Sequence, residues 1–164
     1  MKGFVYSRQG EERNVNEDSA LLKIYEQKNL ISFAVADGMG DLDFGDEVSR
    51  IAVVSAIQYI EKHFYVVDWS KALKEALEYA DSEIKNFCIE NRCVSGVAIA
   101  IGVICNNVLT FSWQGNVRIY CGCSDRWLLL TEDHKIFVGK DGYRLSRCLM
   151  GHGLRDDINI ISME

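Results

Sequence analysis

Proline is absent from the 164-residue sequence, so no segment can form a proline-rich linker or a proline-rich ligand for another protein. No two cysteines have the CxxC spacing, and the three histidines do not complete a zinc site with them. The net charge is −6, and no cluster of lysine and arginine offsets it. Binding of nucleic acid or anionic lipid is therefore disfavoured. We therefore expect no nucleic-acid partner, whereas partners of positive charge, divalent cations included, are favoured.

Long apolar runs are also absent. The longest, residues 94–105, has twelve residues, is interrupted by Ser95 and Gly96, and is too short to cross a bilayer. Residues 1–11 contain no apolar stretch of the length found in signal peptides. We therefore predict a cytoplasmic protein with no membrane partner and with reduced cysteines, several of which, Cys121 and Cys123 included, pack as small apolar side chains.

The hydrophobic pattern predicts strands, then two helices, then strands again. The helices begin near Val48 and near Trp69, and either Asp68 or Ser70 could cap the start of the second. The predicted strands cover residues 20–25, 31–37, 97–105, 108–113, 117–123 and 127–131, and an irregular segment follows His134. Because strands and helices do not alternate strictly, we predict a single α+β domain over residues 1–164, with antiparallel sheet packed against helices.

The turn at residues 36–47 follows a buried strand and precedes a helix. A phosphate-binding turn would need a third glycine where Asp43 stands, or the lysine of a P-loop, and neither is present. The acidic residues of this turn would also repel a phosphate that a helix N-terminus attracts. Carboxylates are instead hard ligands, which favours binding of Mg²⁺ or Mn²⁺ at this turn. The alternative to a metal site is a plain turn whose acidic residues stabilise the start of the following helix.

Arg13 lies close in sequence to Glu17 and Asp18, just before the first predicted strand. Such an arginine is commonly no more than part of a surface ion pair. Combined with Asp37, a second interpretation arises. The guanidinium of Arg13 would bind a phosphate, while Glu17 and Asp37 would hold a metal ion that activates water.

These segments together resemble the metal-dependent protein phosphatase 2C family over nearly the whole chain. No single segment is specific, and the resemblance lies in their common order along the sequence. The matching segments are residues 13–18, 36–40, 45–49, 95–96, 115–120, 130–134 and 149–151.

The resemblance implies a fold, a reaction and a set of site residues. The implied fold is a four-layer α-β-β-α sandwich, in which two antiparallel sheets are flanked by helices. The implied reaction is hydrolysis of phosphoserine and phosphothreonine esters on a phosphorylated protein partner, as in signalling. Two Mg²⁺ or Mn²⁺ ions would be bridged by Asp37, with Glu17 and the Gly38 carbonyl completing the ligands of one ion, and Arg13 would bind the phosphate.

The sequence departs from the family pattern at several places. The family's third and fourth metal aspartates belong to motifs that would follow Glu164, and Asn116 stands where the family has an aspartate. Asp156 and Asp157 are better explained as a charged turn than as replacement ligands. We therefore expect one metal site, a second ion without most of its ligands, and a domain shortened at its C-terminus, whose uncovered sheet edge could pair with a second copy to form a homodimer.

Three functions follow as alternatives. The first is a metal-dependent protein serine/threonine phosphatase, which the ordered segments favour. The second is a catalytically inactive binding or regulatory module of the same fold, which the missing aspartates and Asn116 favour. The third, a nucleotide-binding domain that uses the turn at residues 37–45, is disfavoured because the turn is acidic and lacks the third glycine.

Overall fold

The computed structural model describes residues 1–65, 68–123, 125–155 and 157–164, and these residues form nine strands and two α-helices. The strands are β1 (Asp18–Tyr25), β2 (Leu30–Gly38), β3 (Val97–Cys105), β4 (Val108–Gln114), β5 (Tyr120–Cys123), β6 (Arg126–Leu129), β7 (Lys135–Phe137), β8 (Tyr143–Leu145) and β9 (Ile160–Met163). The helices are α1 (Gly45–Lys62) and α2 (Trp69–Asn91), and short 3-10 helices cover Glu26–Lys28 and Gly139–Asp141.

Five of the strands form one antiparallel sheet in the order β1-β2-β3-β4-β9. The pairs β5-β6 and β7-β8 form separate two-stranded ribbons. In the main sheet Asp18 of β1 lies opposite Asp37 of β2, and Gly38 lies opposite Val97 of β3. This architecture confirms the predicted α+β class with antiparallel sheets.

Both faces of the main sheet are covered. The helix-facing core contains alternate residues of β3 together with residues of both helices. The β3 residues in that core are Val97, Ile99, Ile101 and Val103. On the opposite face, Ala100, Phe111 and Trp113 pack with Val117, Ile119 and Leu130. Because β3 is buried on both faces, its sequence is a continuous apolar run rather than an alternating one.

The structure shows which residue caps the second helix and how the first hairpin turns. The carboxylate of Asp68, not the hydroxyl of Ser70, caps α2, since its Oδ1 accepts the backbone N–H of Ser70 at 2.9 Å. The first hairpin turns through a 3-10 helix and Asn29, whose φ of 46° lies in the left-handed region that asparagine tolerates. Neither helix in the described part of the chain is long and apolar enough to cross a membrane.

Three sequence predictions need correction. The strand predicted over residues 117–123 begins only at Tyr120, because Ile119 donates its N–H to Thr131 Oγ1 (3.2 Å) instead of to a strand. The segment after His134 is not irregular throughout, since it contains three short strands. Cys121 is exposed rather than packed, while the side chain of Cys123 lies outside the described residues.

A buried carboxylate ties α2 to the loop at residues 150–153. Asp81 Oδ1 accepts the backbone N–H groups of Met150 (3.0 Å) and Gly151 (2.8 Å). Its Oδ2 accepts the N–H of Gly153 at 2.8 Å. Asp81 is only 3% exposed, so these three N–H groups replace the water that would otherwise solvate its charge.

Candidate functional site

One cleft of about 280 Å³ brings together residues that are far apart in the sequence. It is lined by three of the predicted site residues, Arg13, Asp37 and Gly38. Asn116, Lys135 and Arg144 complete the polar part of its lining. We call Asp37 and Arg13, with the neighbouring Glu17 that does not itself line the cleft, the acidic side, and the lining residues of the segment at residues 135–144 the basic side.

The acidic side is built by the β1-β2 hairpin. Asp37 is the last but one residue of β2, where the strand leaves the sheet. The backbone N–H of Gly38 donates to the carbonyl of Glu17 at 3.0 Å, and the N–H of Met39 donates to the carbonyl of Gly96 at 3.0 Å. These two bonds hold the start of the turn against β1 and β3, and so place the Asp37 carboxylate at the mouth of the cleft.

The glycines of the turn make room for Glu17. A Cβ atom at Gly40 would lie 2.6 Å from Glu17 Oε2, and a Cβ atom at Gly45 would lie 2.6 Å from Glu17 Oε1. Any other residue at either position would therefore displace the Glu17 carboxylate. The glycine spacing that resembles a phosphate-binding motif thus serves to close the turn around an acidic side chain.

The acidic side carries more negative charge than its one arginine balances. Arg13 Nη1 lies 3.8 Å from Glu17 Oε2, in an ion pair whose arginine is 66% exposed. Burial, and then the neighbouring carboxylates of Asp18 and Glu17, raise the pKa of Asp37, and the charge of Arg13 only partly opposes this rise. A cation placed at these carboxylates would relieve their repulsion.

The residues of the acidic side fit one divalent cation by the chemistry of their donors. The Asp37 and Glu17 carboxylates and the Gly38 carbonyl are hard oxygen donors, and Mg²⁺ or Mn²⁺ binds such donors while it retains several waters. Among the described residues, no group of three or more His, Cys, Asp or Glu side chains is placed to hold a metal ion. An ion at Asp37 and Glu17 would therefore depend on the Gly38 carbonyl and on waters for its remaining ligands.

The basic side of the cleft depends on Asp133. Its carboxylate binds Arg118 (Nε at 2.8 Å and Nη2 at 2.7 Å) and Lys135 (2.8 Å). The hydrogen bonds from Arg118 and then Lys135 hold the pKa of Asp133 well below its ordinary value. Asp133 stays ionised at neutral pH, and so positions Lys135 beside the cleft.

Comparison with known proteins places this chain in a family. A sequence model of the protein phosphatase 2C family matches residues 8–107, which is more than half of the chain. The chain belongs to the protein phosphatase 2C family. No curated protein matches the chain in sequence.

Solved structures of bacterial phosphatases share the fold of this protein phosphatase 2C chain. The catalytic domain of the serine/threonine phosphatase PstP, in complex with two manganese ions, has 20% identity and a TM-score of 0.74, over 96% of this chain and 70% of that one. PstP/Ppp of Mycobacterium tuberculosis has 20% identity and a TM-score of 0.76, over 96% and 71%. Stp1 of Staphylococcus aureus has 16% identity and a TM-score of 0.80, over 96% and 68%.

The phosphatase 2C cleft contains residues that sequence reasoning missed. Lys135 and Arg144 were not predicted as site residues, and the only sequence signal for Lys135 is its position directly after the segment 130–134. Asn116 does line the cleft, and so brings an uncharged amide to the site. Asp157 forms an ion pair with Arg147, while Asp156 lies outside the described residues.

His134 links the phosphatase 2C cleft to the second core cluster. Its Nδ1 accepts the backbone N–H of Gly115 at 3.1 Å, and its Nε2 lies 3.0 Å from Asn159 Nδ2. The ring stacks on Trp113 with 5.5 Å between the centroids. A neutral His134 thus fixes Gly115, and with it the backbone that presents Asn116 to the cleft.

Acidification should weaken the fold through His134. Burial, and then the charge of Arg147, lower the pKa of His134 below its ordinary value of 6.5, so below pH 6.5 the unfolded chain binds a proton that the folded chain does not. The free energy of unfolding should therefore fall as pH falls from about 6.5 towards the folded pKa. Urea unfolding of the wild type and of His134→Asn between pH 7.5 and pH 5 measures this slope, which His134→Asn should flatten. The exposed His152 gives the control His152→Asn, and an equal slope in the wild type and both variants would contradict the prediction.

Proposed function

We propose that this protein phosphatase 2C domain, residues 1–164, binds phosphoserine and phosphothreonine segments of other proteins and hydrolyses the phosphate ester with the help of a divalent cation. The observation that carries the proposal is the single cleft in which the Arg13 guanidinium, the Asp37 carboxylate and Gly38 meet. A guanidinium supplies the paired donors that a phosphate accepts, and the carboxylate supplies a ligand for the cation.

The roles of the residues follow from their positions. Arg13 is largely exposed and extends from the acidic side, so it can contact two phosphate oxygens as they enter the cleft. Lys135 approaches from the opposite side and balances the remaining charge of a phosphate dianion. Asp37 and Glu17 would hold the cation, together with the Gly38 carbonyl.

A Mg²⁺ or Mn²⁺ ion at these ligands would supply positive charge to the phosphoryl oxygens and would make water a stronger nucleophile at neutral pH. The Asp37 carboxylate would be stabilised by such a charge, because burial and then its acidic neighbours raise its pKa in the free protein. The proposal includes one cation, at the two carboxylates of Asp37 and Glu17, because no larger group of acidic, His or Cys side chains is placed to hold an ion among the described residues. No nucleophilic cysteine is required by this chemistry.

A second candidate function is phosphate-dependent binding without turnover. It is favoured by the amide of Asn116 in the cleft and by the basic pair Lys135 and Arg144, which suit capture of a phosphate more than the binding of a second metal ion. Such a module would bind phosphorylated proteins through the same Arg13. The two candidates therefore share a ligand and differ in whether phosphate is released.

The test is hydrolysis of an aryl phosphate by the purified chain, in Mn²⁺ and in EDTA. Turnover that requires Mn²⁺ supports the phosphatase. No turnover in Mn²⁺, combined with phosphate-dependent binding of a phosphopeptide, would reject the phosphatase and leave the binding module.

Loss of the Arg13 guanidinium should weaken phosphate binding. In Arg13→Ala the cleft loses its paired donors, so we expect KM for the aryl phosphate to rise about tenfold, the effect of losing a charge-assisted hydrogen bond. Arg8, which is 69% exposed and pairs with Glu11, gives the matched control Arg8→Ala. Unchanged KM and kcat in Arg13→Ala would assign Arg13 to a surface ion pair alone.

Location and assembly are part of the same proposal. We propose a cytoplasmic protein, in which the thiols stay reduced, that has phosphorylated proteins rather than nucleic acid or membranes as partners. β1 and β9 are the edge strands of the main sheet, and pairing of such an edge between two copies would give a homodimer. A monomeric sedimentation profile at high concentration would reject the dimer.

A further inference from the structure

A second groove opens directly beside the phosphate cleft. Its volume is about 760 Å³, against about 280 Å³ for the cleft. The two cavities share six lining residues: Arg13, Met39, Gly40, Tyr143, Arg144 and Leu145. A ligand whose phosphate contacts Arg13 would therefore lie at the entrance of the larger groove.

The groove has an apolar lining, unlike the cleft. Five half-buried side chains provide it, from the turn after β2, from β8 and from the loop that Asp81 holds. They are Met39, Leu42, Leu145, Cys148 and Met150. A volume of this size is within the range of small-ligand pockets and exceeds what a phosphate alone would fill.

The apolar lining is held in place by several contacts. The backbone N–H of Met150 donates to the buried Asp81, and Leu149 exchanges two backbone hydrogen bonds with Val97, each of 2.9 Å. A Cβ atom at Gly96 would lie 2.9 Å from Met150 Cγ and 3.0 Å from Met39 Sδ, so both methionines pack on the Gly96 backbone. The groove is thus formed before any ligand arrives, which lowers the entropic cost of binding.

We propose that this groove binds an aliphatic side chain of the phosphorylated protein, one or two residues away from the phosphoserine or phosphothreonine. The inference rests on the proposed function, because the phosphate cleft sets where the peptide lies. The groove is continuous with that cleft, and its flexible methionines suit leucine, isoleucine or methionine. The charged residues of the groove, Arg13, Asp41 and Arg144, are of both signs, so the preference for an aliphatic side chain rests on the apolar lining.

Binding of short peptides tests the inference. The parent peptide carries, at its centre, a phosphonate analogue of phosphoserine that cannot be hydrolysed, flanked by two alanines on each side. Four further peptides each replace one of these alanines with leucine, and four replace one with aspartate. Fluorescence anisotropy of labelled peptides gives Kd in Mn²⁺ and in EDTA. At least one leucine peptide should bind about tenfold more tightly than the parent, the gain expected for burying most of a leucine side chain.

Variants of the groove locate the effect. Met150→Ser and, independently, Leu42→Ser should reduce the preference for leucine to about twofold or less while leaving the affinity for the parent peptide unchanged. The matched control is Ile89→Ser, which makes the same kind of change at a residue of α2 that is 65% exposed and outside the groove. A thermal melt of each variant shows that it is folded, and either groove variant alone suffices for the test.

The outcomes separate this inference from the proposed function. Each peptide is also made with plain serine in place of the phosphonate. If the parent binds more tightly than its serine version but no leucine peptide binds more tightly than the parent, the groove inference is overturned and the phosphate cleft stands. If leucine peptides bind equally well with and without the phosphonate, both are overturned. An aspartate peptide that matches the best leucine peptide would also reject an apolar groove.

Discussion

Asp37→Asn should abolish Mn²⁺-dependent phosphate release, lowering kcat for an aryl phosphate by about 100-fold or more. The substitution keeps the size of the side chain but removes the charge that would hold the cation. It should also have a second effect, of opposite sign, on stability. Because burial and the carboxylates of Asp18 and Glu17 raise the pKa of Asp37, its ionised form destabilises the free protein at neutral pH. In EDTA, Asp37→Asn should therefore be at least as stable as the wild type.

Thermal unfolding in EDTA and in Mn²⁺ measures the second effect. Mn²⁺ should raise the melting temperature of the wild type, since it binds the folded state, and should not raise that of Asp37→Asn. The exposed Asp43, in the same turn, gives the control Asp43→Asn, which should keep both the activity and the response to Mn²⁺. Activity that survives in Asp37→Asn, or a variant that Mn²⁺ still stabilises, would contradict the assignment of Asp37.

Asp81→Ala should be the most destabilising of the substitutions considered. It leaves three N–H groups of the loop at residues 150–153 without their acceptor and creates a cavity, which together cost about 3 kcal/mol or more. For a domain of this size the melting temperature should fall by roughly 6–12 °C. Differential scanning calorimetry measures the change.

Two comparisons sharpen the Asp81 prediction. Asp81→Asn retains one carbonyl oxygen and should lose less stability than Asp81→Ala. Glu90→Ala removes an exposed acid from the same helix and should change the free energy of unfolding by about 0.5 kcal/mol or less. If Asp81→Ala unfolds at the wild-type temperature, the loop is not held by this carboxylate, and the fixed lining of the groove loses its main support.

The acidic side of the site could be predicted from the sequence because its residues are close together along the chain or belong to a recognisable sequence pattern. Asp37 ends an apolar strand, and the glycine-rich acidic turn follows at once. The purpose of the glycines could not be predicted in this way. Their contact with Glu17 depends on how β1 and β2 pair, which places residue 17 against residues 40 and 45.

The basic side and the apolar groove could not be predicted, because long-range contacts create them. Asp81 contacts a loop about 70 residues further along the chain, and an aspartate within a helical pattern gives no sign of such a partner. Lys135 is positioned by its ion pair with Asp133, which also binds Arg118, and no hydrophobic periodicity in the sequence predicts these ion pairs. The short strands after residue 134 are likewise three or four residues long, too short for an alternating pattern to identify.

The division of the cleft between a hairpin and a distant segment has a consequence for how the site forms. The acidic side depends mainly on the pairing of β1 with β2, neighbours in sequence, whose contacts close a short loop and so form early, and on one backbone bond from Met39 to Gly96 just before β3. The basic side is in place only after residues 133–145 have docked onto a sheet completed by β3 and β4. The carboxylates of Asp37 and Glu17 therefore come together before Lys135 and Arg144 join the cleft, so the ligands for the metal ion and the full positive charge for a phosphate arise at separate steps of folding.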